Sequence, residues 1–78
     1  MTDINIVDVT LHIDNNLDTA IREAVEKQLR TLNGVISVHM PADKLHLVEV
    51  SYNPEDVNSE TIEHSIRELA GKVELIGL

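Results

Sequence analysis

Apolar and polar residues alternate from Val7 to Asp14. Val7, Val9, Leu11 and Ile13 fall on one side and Asp8, Thr10, His12 and Asp14 on the other, which is the period of a strand with one buried face. From Leu17 the period changes. In LDTAIREAVEKQLRTLNG, Ile21, Val25, Leu29 and Leu32 recur at helical spacing, and Asn33-Gly34 marks the expected end, because glycine suits a left-handed residue after the last turn. Alternation resumes in VISVHM, with Ile36, Val38 and Met40 predicted on the inner face. PADK is turn chemistry, and LHLVEVSY follows as a third strand with Val48, Val50 and Tyr52 inward; so short a connection makes the two strands a hairpin. NPEDVNSE breaks the strand and offers Asn58 or Ser59 as a helix cap. TIEHSIRELAG repeats the helical period through Ile62, Ile66 and Leu69 and ends at Gly71, and KVELIGL closes as a short strand.

The order strand, helix, strand, strand, helix, strand implies two right-handed crossovers interleaved through one hairpin. The expected fold class is α+β: a ferredoxin-like βαββαβ sandwich, a four-stranded antiparallel sheet with two helices on one face, formed by residues 1–78 as a single domain. The other sheet face is open to water. Its predicted residues, Asp8, Thr10, His12, Ser37, His39, Glu49, Ser51 and Glu74, are polar.

Composition narrows the function. With 14 acidic and 6 basic residues, the formal net charge is −8. Such a surface repels a phosphate backbone and an anionic membrane, which argues against nucleic-acid and membrane partners and suits a basic protein surface or a cation. One Tyr without Phe or Trp provides no stacking platform for bases or sugars. There is no cysteine, so disulfides, thiolate nucleophiles and thiolate metal sites are excluded together. MTDINIVDVT has no basic stretch followed by an apolar one, and no segment approaches a membrane span, so the expectation is a cytoplasmic protein.

AVEKQLRTLNGVISV (24–38) resembles the stretch from first helix to second strand of heavy-metal-associated domains, the soft-metal chaperone and transport-ATPase domains. VEVSYNPEDVNSETIEHSIRELAG (48–71) is similar to the remainder of that family: a strand ending in Tyr-x-Pro, a helix with Ile at helical spacing, then Gly. The resemblance covers nearly the whole chain and implies the same βαββαβ architecture. It also implies where the family's metal loop falls. Counted from Val25-Glu26 and Gly34-Val35, the family's Cys-x-x-Cys lies on Asp18 and Ile21, and its loop Met on Asn16. Two thiolates select a soft ion such as copper(I); a hard carboxylate and a branched alkane do not replace them. Soft-metal transfer therefore does not carry over. Residues 14–21, DNNLDTAI, read instead as a helix start. Asn15, Asn16 and Asp18 each offer a short side-chain oxygen to an orphan N–H of the first turn, typically worth about 1 kcal/mol, and a carboxylate there complements the helix dipole.

The same edge offers other candidate ligands. Asp14-x-Asn16-x-Asp18 imitates the opening of an EF-hand, but Thr19 stands at the glycine position and Val25 at that of the bidentate Glu, leaving too few oxygens for calcium. A borderline divalent ion such as zinc, nickel or cobalt takes histidine and carboxylate, and the candidate ligands are His12, Asp14, His39 and His46, with Asp18 beside them. His12 and His39 share the open face but flank the third strand, about 9–10 Å apart at two strand spacings. His46 alternates with Val48 and points inward unless a bulge in the hairpin turns it out. His64 falls on the exposed side of the second helix. Acylphosphatases share the architecture, but their anion loop is glycine-rich with an arginine, and the acidic DNNLDTA would repel phosphate. No Ser or Cys pairs with His in a readable pattern, and no buried carboxylate pair is visible, so an enzyme is not expected.

The leading expectation is a non-enzymatic accessory or protein-interaction module with a degenerate metal site and no cofactor. The resemblance implies docking through the open sheet face and the loop edge, and the acidic charge favours a basic partner. The second and fourth strands are free edges through which a homodimer could pair. The alternative is a zinc, nickel or cobalt protein using the histidine and aspartate ligands named above.

Overall fold

A computed structural model gives the conformation of residues 5–14 and 16–77. Strand β1 (Val7–His12) leads into helix α1 (Thr19–Arg30), then β2 (Val35–His39), β3 (Leu47–Tyr52), α2 (Ser59–Ser65), α3 (Arg67–Ala70) and β4 (Glu74–Gly77). The strands form one antiparallel sheet in the order β2-β3-β1-β4. This is the ferredoxin-like arrangement expected from the element order, with the second helix broken in two.

The central pair sets the register. β1 and β3 match residue for residue from Val7 opposite Tyr52 to His12 opposite Leu47, without a shift. Val9 and Leu11 on β1 thereby lie beside Val48 and Val50 on β3, all at most 2% exposed. The helices close over this face with Val25 and Leu29 from α1, Ile62 from α2 and Ala70 from α3. Apart from Tyr52 the buried core is aliphatic, and among the described residues no polar or charged side chain is buried. Each fully buried Val, Leu or Ile contributes about 1.5–3 kcal/mol by leaving water.

Both outer strands depart from simple alternation. On β2, Val35 opposes Tyr52 while Ser37 already opposes Ser51, so Ile36 is an inserted residue. On β4, Leu75 opposes Leu11 while Gly77 opposes Thr10, which makes Ile76 the inserted residue. A bulge sets two residues against one and re-aims the side chains around it. Ile36, expected inward, is therefore 51% exposed, while Val35 and Val38 carry the inner face of β2.

Helix α1 ends earlier than glycine chemistry suggested. Thr31 closes it, with its N–H and its hydroxyl both donating to the Gln28 carbonyl (3.2 and 2.6 Å). Gly34 serves the connection to β2 instead. Its φ is +99°, its carbonyl accepts from Asn53 N at 2.8 Å, and a Cβ there would stand 2.7 Å from Asp56 Cβ.

The break in the second helix has a local cause. Ser65 Oγ donates to the Ile62 carbonyl at 2.7 Å, and the Ile66 N–H turns to Glu63, one residue short of the α-helical spacing. Asn58, one of the two expected caps, fills that role through Oδ1, which accepts from Thr61 N at 2.7 Å.

Gly34→Ala should lower stability by about 1–3 kcal/mol for the backbone conformation alone, with the contact against Asp56 adding to it. The midpoint of urea unfolding measures this.

Candidate functional site

Two acidic side chains shape the β1–α1 turn, and both hold backbone. Asp14 Oδ1 accepts from Asn16 N at 2.9 Å, and Asp18 Oδ1 accepts from Ile21 N at 2.8 Å. Asp18 is the N-cap of α1, with extended φ and ψ of −74° and 169°. Asn16 is exposed in the turn, and Asn15 lies outside the described residues. Ile21 is half-buried and packs against the core, continuing the apolar stripe of Val25 and Leu29. Arg22 Nη1 donates to the Leu45 carbonyl and so ties the first turn of α1 to the β2–β3 loop.

That loop decides the placement of the histidines. β3 begins at Leu47, two residues later than the alternation of LHLVEVSY suggested, so His46 belongs to the turn and escapes the parity of the strand. Its carbonyl accepts from Ile13 N at 2.9 Å, which pins its backbone against the end of β1. Its half-buried ring does not point into the core. It meets the ring of His12 edge to face, with centroids 5.2 Å apart and planes at 83°. His12, Ile13, Asp14 and His46 line one shallow hollow, and His12 and Asp14 border a second with Lys72 and Glu74.

His39 stands elsewhere. It opposes Glu49 on β3 whereas His12 opposes Leu47, so the two are offset along the sheet as well as separated by β3. Their backbones are more than ~10 Å apart on strand geometry. Asp18 is occupied as the cap, and His64 is exposed on α2. Among the described residues, no three His, Asp or Glu groups gather closely enough to hold a metal ion.

The open sheet face carries the acids that alternation placed there. Asp8, Glu49 and Glu74 lie on it, with Ser51 Oγ donating to Asp8 Oδ1 at 2.5 Å. Five of the six basic residues lie elsewhere, Arg22, Lys27 and Arg30 on α1, Arg67 on α3 and Lys44 in a loop, while Lys72 pairs with Glu74 at 3.5 Å. The two bulged strands carry Ile36 and Ile76 at opposite edges of the sheet, 51% and 57% exposed, and Ile6 is 58% exposed just ahead of β1. Sequence reasoning missed this feature because a bulge is settled by pairing with the neighbouring strand.

No family model and no curated protein matches the sequence. Solved structures do match in shape. The N-terminal domain of a potential copper-translocating P-type ATPase from Bacillus subtilis, solved in its Cu(I)-loaded state, is similar with a TM-score of 0.78 and 24% identity, over 90% of this chain and 86% of that one. The yeast copper transporter domain Ccc2a gives 0.77 and 23%, over 90% and 94%. Oxidized MerP from Ralstonia metallidurans CH34 gives 0.81 and 14%, over 94% and 100%. The fold is that of the heavy-metal-associated domains. The donor set is not: Asp18 caps a helix and Ile21 packs on the core, and neither fits a soft ion. Among the described residues, no helix is long and apolar enough to cross a membrane.

Asp18→Ala should cost about 1 kcal/mol of stability through loss of the cap, and Asp18→Asn should keep most of it. Urea unfolding of the three proteins distinguishes capping from a purely electrostatic effect.

Proposed function

We propose that this chain is a non-enzymatic protein-docking module that keeps the heavy-metal-associated scaffold without its thiolate cargo site. The reading is supported first by the loop, where the two positions matched to the cysteines serve the helix start and the core. The observation that carries it is the exposed aliphatic set: Ile6, Ile36 and Ile76 are each more than half exposed in a chain of net charge −8. Exposed aliphatics on an acidic chain favour a basic partner with apolar side chains of its own. The charge steers the encounter, and burial of the isoleucines holds it.

A second copy fits less well. The chain's charge of −8 opposes self-association at this face. Each edge strand is also interrupted by its bulge, which weakens edge-to-edge pairing. The reading places the domain in the cytoplasm, where the absence of cysteine carries no cost for a chain that holds itself by packing.

Capture from the native host at low salt should return a basic protein whose binding weakens with ionic strength and is lost in the Ile36→Asp/Ile76→Asp double variant. Free monomer alone would remove the proposal. A symmetric dimer that the double variant dissolves would replace the basic partner with a second copy. The scaffold claim has its own check: the Asp18→Cys/Ile21→Cys double variant should gain one-to-one copper(I) binding, read by competition with a chromogenic chelator, while unfolding at lower urea.

A further inference from the structure

We infer that His12 and His46 form a two-histidine site for a borderline divalent ion such as zinc, nickel or cobalt, separate from the thiolate loop and independent of the docking face proposal. Both stand at the rim of the sheet, His12 exposed at the end of β1 and His46 half-buried in the turn before β3. The ring centroids are 5.2 Å apart with planes at 83°. Two imidazoles bound tetrahedrally to one zinc, each nitrogen about 2.0–2.1 Å from the ion, have ring centres about 5 Å apart. The observed spacing is of that size, and in the edge-to-face contact the nitrogens converge on one point only after the rings turn about their side-chain torsions.

The surrounding backbone is set. The hydrogen bond from Ile13 N to the His46 carbonyl and the adjoining β1–β3 ladder fix both Cα positions, so only rotation of the rings is needed to aim a nitrogen from each. Asp14 borders the same hollow, but its Oδ1 is held by Asn16 N and it does not gather with the two rings as a third ligand, so water fills the remaining positions. Lys72, which borders the adjoining hollow, pairs with Glu74 at 3.5 Å, and this moderates its repulsion of a cation. Histidine nitrogen with water suits zinc, nickel and cobalt and disfavours the soft ions that thiolates select.

The test is titration of metal-free full-length protein with zinc chloride and, separately, cobalt chloride near pH 7.5, where unbound imidazole is mostly neutral. One-to-one binding is expected by calorimetry. His12→Ala and His46→Ala should each lower affinity about 10–100-fold, on the scale set by loss of a group that supports a metal site, while His39→Ala and His64→Ala leave it unchanged. Imidazole nitrogen chemical shifts in the unmutated protein provide a readout that does not depend on how the variants fold. Metal-induced shifts confined to His12 and His46 support the site. Shifts centred on His39 or His64, equal binding by the His12→Ala/His46→Ala double variant, or weak multi-site uptake without saturation would overturn it. Ile36→Asp/Ile76→Asp should bind metal normally, so failure of the docking reading and failure of this one are distinguishable.

Discussion

The continuous pairing of β1 with β3 is the constraint on which the rest depends. Six consecutive matched positions bring Val9, Leu11, Val48 and Val50 onto one face. Both crossover connections must then lie over that face to keep it from water. Because the pairing is central, β2 and β4 are each held along one side only. Both take up an extra residue, which the interior ladder does not. The consequence for function is direct. The middle of the sheet carries Asp8 and Glu49, and the bulged edges carry Ile36 and Ile76.

The β1–α1 turn shows how a binding loop can become part of the scaffold. A turn that presents ligands must leave lone pairs aimed at an ion. Here Asp14 and Asp18 each direct an oxygen at a backbone N–H, and Ile21 faces the core. These contacts stabilise the start of α1, where four N–H groups lack helical partners. The same turn leaves His12 and His46 outside that commitment, close together, at the rim.

Much of this was legible in the residues, for a physical reason. Parity along β1 and β3, the helical stripe from Ile21 to Leu32 and the capping chemistry of Asp18 and Asn58 are local properties, and the folded chain keeps them. What failed was whatever a neighbour decides. Ile36 was expected in the core because alternation does not encode where β2 gains a residue against β3. The second helix was expected whole because a Ser hydroxyl competing for the Ile62 carbonyl is visible only once the helix exists. At the candidate site, the cap at Asp18 was readable from its type, whereas Asp14, read as a candidate metal ligand, holds the Asn16 N–H of the turn. The partnership of His12 with His46 was not readable, since it turns on β3 starting at Leu47, and His39 was grouped with them on an edge whose register sets it apart.

The composition of the core has a practical corollary. Tyr52 is the only tyrosine, and the chain has neither Trp nor Phe, so a single ring accounts for its near-ultraviolet absorption and its intrinsic fluorescence. That ring is buried at the end of β3, opposite Val7 on one side and Val35 on the other, and so samples three strands at once. The helices contain no such chromophore and dominate the far-ultraviolet dichroism instead. Fluorescence and dichroism thus report on separate layers of the sandwich, and their coincidence or divergence on unfolding reads directly whether sheet and helices melt as one cooperative unit.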